Sequence, residues 1–113
     1  MKVVVYEKMT SDGIDTKSKQ IGEFDVNEPS YLELKKLGVL NDKRYPAKIS
    51  FDNKNTPIFE GMEVNTEAFV DFYSKVLELA GLTEQDIVKY GFKYADTALE
   101  QIYLAWTTDE KKS

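Results

Sequence analysis

Two pairs of carboxylates in this sequence are spaced for chemistry on a helix: Glu67 with Asp71, and Asp96 with Glu100. A separation of four residues puts both members of a pair on one helical face, where their oxygens could hold Mg²⁺ or Ca²⁺. Nothing beside either pair completes a ligand set, so a solvated acidic face is expected of both. Asp52 to Glu63 has the twelve-residue span of a calcium loop, with an acid at each end. Its third position is Lys54 and its sixth is Pro57, where a ligand and a glycine are needed, which rules the loop out. Ser18–Lys19 and Ser74–Lys75 could supply an activated hydroxyl, but sequence neighbours point apart on a strand or a helix.

The sequence contains no His and no Cys. That removes the commonest acid–base residue, the commonest metal ligand, and every disulfide or thiolate zinc site. No G-x-S-x-G elbow is present, and the six glycines, at 13, 22, 38, 61, 81 and 91, are too scattered for a phosphate loop or a dinucleotide fingerprint. No catalytic residue, cofactor or metal is therefore expected, and the chain is not expected to be an enzyme.

What is left is apolar and aromatic surface. Six Phe, seven Tyr and one Trp are many for 113 residues. Tyr90, Phe92 and Tyr94 surround Gly91 in the run YGFKY, where one helix face cannot bury all three. Tyr103 and Trp106 lie one turn apart near the end of a predicted helix. With Phe72 and Tyr73 from an earlier helix, these are the candidates for contact with a partner, since exposed aromatic patches mark interaction surfaces. The competing expectation is an ordinary core with amphipathic tyrosines at its edge.

The elements that must carry these residues follow from periodicity. Asn65 or Thr66 can cap a helix in which Phe69, Phe72, Tyr73, Val76, Leu77 and Ala80 recur at spacings of three and four, with Gly81 as its stop. Thr83 with Asp86 forms a capping-box pair that opens a short helix holding Ile87 and Val88, and Gly91 ends it. Ala95 to Trp106 reads as the last helix, with Ala95, Leu99, Ile102, Tyr103 and Trp106 on one face; residues 107–113 read as a frayed polar tail.

Residues 1–64 read mainly as strands. Lys2 to Met9 is one strand, Ser11-Asp12-Gly13 a turn, and Lys17 to Val26 the returning strand of an antiparallel hairpin. Asn27-Glu28-Pro29 predicts a helix start, with Tyr31, Leu32, Leu34 and Leu37 in a short helix that stops at Gly38. Lys48 to Phe51 predicts a third strand, DNKNTP a turn, and Ile58-Phe59 a short fourth strand. The expected fold is a single α+β domain over 1–113: a small antiparallel sheet from the N-terminal half, packed against about three C-terminal helices.

With 42% hydrophobic residues the chain can build one core without staples. The net charge of −5 is uneven: residues 1–57 hold ten Lys/Arg against nine Asp/Glu, and residues 58–113 five against eleven. No basic stripe is present, so no nucleic-acid partner is expected. No apolar run reaches membrane-spanning length, and Val3-Val4-Val5 is too short for a signal peptide, so no membrane and no secretion are expected.

The stretch EAFVDFYSKVLELAGLTEQDIVKYGFKYADTALEQIYLAW resembles the small tail assembly chaperones of long-tailed phages of Gram-positive bacteria: a helix, an LTEQDI-type restart and a closing amphipathic helix. The hairpin leading into PSYLELKKLG is similar to members that begin with short strands. The resemblance implies a non-catalytic, self-associating factor in the host cytoplasm. Its partner would be the tape measure protein, a long helical chain coated until the tail tube assembles around it, and its recognition mode helix-in-groove. Two rivals are a small acidic phage inhibitor that covers a basic surface of a host protein, and a small metal-dependent enzyme using the carboxylate pairs.

Overall fold

The computed structural model describes residues 1–10 and 13–108. Ser11 and Asp12 of the predicted turn, and residues 109–113 of the predicted tail, lie outside the described residues. Strand β1 (Lys2–Tyr6) pairs antiparallel with β4 (Gln20–Asp25), Lys2 opposite Asp25 and Tyr6 opposite Gln20, with the register shifting between Val5 and Tyr6. Val3 and Val5 point inward from β1, as Phe24 does from β4, which is the period-2 pattern of a half-buried ladder. Between them, β2 (Met9–Thr10) pairs with β3 (Gly13–Ile14).

The first predicted strand is thus split, and the second begins three residues late. Asp15 is the reason. Its side chain accepts from the Lys17 amide at 3.0 Å and its carbonyl accepts from the Ser18 hydroxyl at 2.6 Å, a local turn that outcompetes strand pairing.

Helix α1 (Tyr31–Asp42) also departs from expectation at both ends. Its cap is Ser30, not Asn27. The Ser30 hydroxyl accepts from the Glu33 amide at 3.2 Å, and the Glu33 carboxylate accepts from the Ser30 amide at 2.8 Å, so two orphan donors are satisfied reciprocally. Asn27 instead joins the ends of two later helices: its amide donates to Ala80 O at 3.1 Å, and its carbonyl accepts from Trp106 Nε1 at 3.0 Å. Gly38 does not stop α1, because the added turn packs Leu40 on the core beside Leu37, offsetting the cost of about 1 kcal/mol for a mid-helix glycine.

The C-terminal half follows its periodicity closely. Helix α2 (Thr66–Ala80) is capped by Asn65, whose side chain accepts from the Ala68 amide at 3.1 Å. It ends at Gly81 with φ +77°, where the amides of Gly81 and Leu82 both donate to Leu77 O. Thr83 and Asp86 form the expected box on α3 (Glu84–Ile87). After the break at Gly91, one 3₁₀ turn (Phe92–Tyr94) leads into α4 (Ala95–Thr107). Phe72, Val76 and Ala80 of α2 meet Ala98, Leu99 and Ile102 of α4 and the inner face of the β1–β4 ladder in one core.

Gln101 joins α4 to β1. Fully buried, its side-chain amide accepts from the Tyr6 N–H at 2.9 Å and donates to the Tyr6 carbonyl at 2.8 Å. A helix side chain thereby completes the strand's hydrogen bonding at the point where the register shifts.

The α+β class holds, but the strands form three separate two-stranded ladders instead of one sheet. The third, β5 (Ala47–Phe51) with β6 (Pro57–Met62), leaves the body as an arm between α1 and α2. No residue from Ala47 to Met62 is buried. The radius of gyration, 16.5 Å, exceeds the roughly 13 Å of a compact chain of this length, and the long axis reaches 54 Å.

Candidate functional site

The aromatic candidates separate by environment. Phe72 is fully buried, with its ring 5.0 Å from that of Tyr103, so it packs the core and offers no surface to a partner; an inward position in the α2 stripe decides this. Tyr90 and Tyr94 are half-buried and engaged. The Tyr90 ring lies edge-on to Phe24 at 5.5 Å and directly over Gly22, where an added Cβ would sit 2.3 Å from the ring. The Tyr94 hydroxyl donates to Glu7 at 3.3 Å. Of the three aromatics in that run, Phe92 faces outward, 85% exposed. The YGFKY segment is thus divided between packing and solvent by the Gly91 break.

Tyr73 belongs to a polar cluster at the meeting point of α1, α2 and α4. Its hydroxyl donates to Glu100 at 2.8 Å, and the same carboxylate accepts from the Arg44 guanidinium. Arg44 is 7% exposed, also donates to Asn41, and holds its central carbon over the Phe72 ring, 3.9 Å from the ring centre. A planar, weakly hydrated guanidinium can satisfy a carboxylate while stacking on an aromatic face. Burial, the hydrogen bond to Glu100 and that residue's charge push the Tyr73 hydroxyl well above its ordinary value. Glu100 is therefore committed to Arg44 and Tyr73, and the Asp96/Glu100 pair is not the freely solvated acidic face expected of it. Arg44 itself reads in the sequence as part of a polar connection, with no local signal of burial.

Tyr103 and Trp106 form one wall of a groove of about 710 Å³. The other wall is α1, with Tyr31, Leu34, Lys35, Gly38 and Asp42 at successive helical turns, and Val39 beside them. Tyr31 and Val39 are well exposed. Gly38 lies on the floor, with the Tyr103 hydroxyl 4.0 Å from where its Cβ would be, an ordinary contact distance. Two helix faces thus stand side by side with an open trough of mixed polar and apolar lining between them, a shape that can accept a third, amphipathic helix. The α1 wall escaped the sequence reading, although six apolar residues between Tyr31 and Leu40 exceed what one helix face can bury.

A second apolar surface lies on the arm. Ile49 sits opposite Phe59 and Phe51 opposite Pro57, so these four share one face, which Ala47 and Met62 extend across the register shift. The other face carries Ser50 and Glu60, hydrogen-bonded to each other. Phe51 and Phe59 are 64% and 63% exposed. The strands were legible as strands; their exposure was not.

Among the described residues, no group of three or more acidic residues is arranged to hold a metal ion, and no helix is long and apolar enough to cross a membrane. No protein family, curated protein or solved structure matches this chain.

Proposed function

We propose that this chain is a non-catalytic assembly factor that binds an apolar helical segment of another protein in the α1/α4 groove. The tail assembly chaperones that its C-terminal half resembles supply the sharper form of the reading: a phage protein of the host cytoplasm that shields the tape measure protein. The observation that supports it is the trough between Tyr31, Leu34 and Val39 on one side and Tyr103 and Trp106 on the other. Its walls are helical, Leu34, Val39 and Trp106 give it an apolar stripe, and Lys35 and Asp42 in its lining put both charges within reach of a client's polar flank.

Trp106 is the sole tryptophan, which makes the groove its own reporter. A synthetic helix with an apolar stripe, taken from the tape measure reading frame, should shift Trp106 emission to the blue and saturate. Val39→Glu, on an exposed wall position, should weaken that binding at least about tenfold, as loss of a central apolar contact does. Affinity that changes little between low and high salt supports an apolar groove. No emission change with any helical segment would sink the groove reading, and steep weakening with salt would point instead to an acidic inhibitor of a basic host surface.

A further inference from the structure

The β5–β6 arm is built unlike the rest of the molecule. The β1–β4 ladder turns Val3, Val5 and Phe24 to the body, whereas the arm's apolar face, Ala47, Ile49, Phe51, Pro57, Phe59 and Met62, is turned to solvent. A two-stranded hairpin is marginal in water by itself and becomes stable when its face is covered. Two backbone hydrogen bonds at its root hold its direction: the Glu63 amide donates to Pro46 O at 3.1 Å, and the Asn65 amide to Arg44 O at 2.9 Å. The arm is therefore anchored at its base on the buried Arg44 cluster and uncovered along its length.

We propose that a second copy of this chain covers it, the two arms packing face to face about a two-fold axis. This rests on the assembly-factor reading above and names a surface for the self-association that the family resemblance implies. None of the six face residues is ionisable, so two such faces meet without burying a charge, which an acidic or basic partner would not allow. The charged residues lie on the opposite face, in the tip turn (Asp52, Lys54) or at the root, where Lys48 pairs with Glu63 at 3.6 Å, the polar rim expected around an apolar centre. The exposed face amounts to roughly 600 Å², at the upper end of what a monomer leaves bare and near the ~800 Å² per partner of a standard interface. A two-fold arrangement presents one patch to itself, so Phe51 and Phe59 of one arm meet the aliphatic Ile49 and Met62 of the other, with the sheets about 10 Å apart.

The test is sedimentation of the full chain over a concentration series, with Phe51→Asp, Phe59→Asp and, on the arm's other face, Ile58→Asp. The native chain should run at twice 13.0 kDa. Each Phe→Asp change should raise the dimer dissociation constant at least about a hundredfold, while Ile58→Asp leaves it within about threefold. Far-ultraviolet circular dichroism checks that the variants fold. Independently of any substitution, amide exchange over residues 47–62 should slow as protein concentration rises. A native chain that stays monomeric, a dimer that survives both Phe→Asp changes, or exchange in the arm indifferent to concentration would each overturn the proposal. Client-dependent Trp106 emission is read separately, so loss of the dimer with groove binding intact would remove this inference and leave the groove standing.

Discussion

Arg44 stands where the end of α1, the root of the arm and the α2–α4 contact meet, and one guanidinium serves all three. It contacts Asn41, Glu100 and the Phe72 ring, while its carbonyl accepts from Asn65. The neighbouring Tyr73 gives this cluster a measurable pH signature. Its folded-state hydroxyl is held above its ordinary value of about 10, chiefly by burial, so folding favours the neutral form. The stability tied to it is therefore fully present below about pH 10 and is lost as pH rises beyond that value. Tyr73→Phe should cost about 1 kcal/mol at pH 7 through the missing hydrogen bond. Its melting temperature should then fall less steeply than the native chain's between about pH 9.5 and 11.5. Parallel slopes would show that Tyr73 does not carry the alkaline sensitivity.

At the scale of elements, the helices of the C-terminal half are set by local chemistry. Asn65, Gly81 and the Thr83–Asp86 box place their ends where the sequence predicts, because each satisfies backbone groups within a few residues of itself. Asn65 has a second task, since its amide also closes the base of the arm. Asn65→Ala keeps that amide and removes only the side-chain cap, so it should cost about 1 kcal/mol, some 4–8 °C in melting temperature for a domain of this size. Thermal denaturation measures it, and an unchanged midpoint would mean that tertiary packing alone holds the start of α2. The N-terminal elements were less legible because competing local bonds lie side by side there. The Ser30–Glu33 box displaced Asn27 as a cap, and the Asp15 turn shortened β4.

At the scale of the whole molecule, the two proposed associations fall on separate parts of the chain, one on the body and one on the arm. The groove lies between α1 and α4, and the uncovered ladder face lies beyond the Arg44 root. Sites that share no contacts contribute additively, so Val39→Glu and Phe59→Asp combined should lose client binding and dimerisation as independently as the single changes do. A combined variant whose groove affinity falls well below that of Val39→Glu alone would show that dimerisation shapes the groove. Such coupling would tie assembly to client capture.

What the sequence determined by itself was local and repetitive: the α+β class, the helical half and its caps, the strand character of β1, β4, β5 and β6, and Tyr103 and Trp106 on one face of α4. Each depends on periods and short-range hydrogen bonds that a few neighbouring residues fix. The tertiary structure decided which apolar faces find a partner. Phe72 and Ile49 are both apolar residues in regular elements, yet one is sealed by α4 and the other meets water. Arg44 and Gln101 were buried against type because their partners, Glu100 and Tyr6, lie 56 and 95 residues away. Burial is a property of the surfaces that close over a residue, and no local pattern records what closes from that far along the chain.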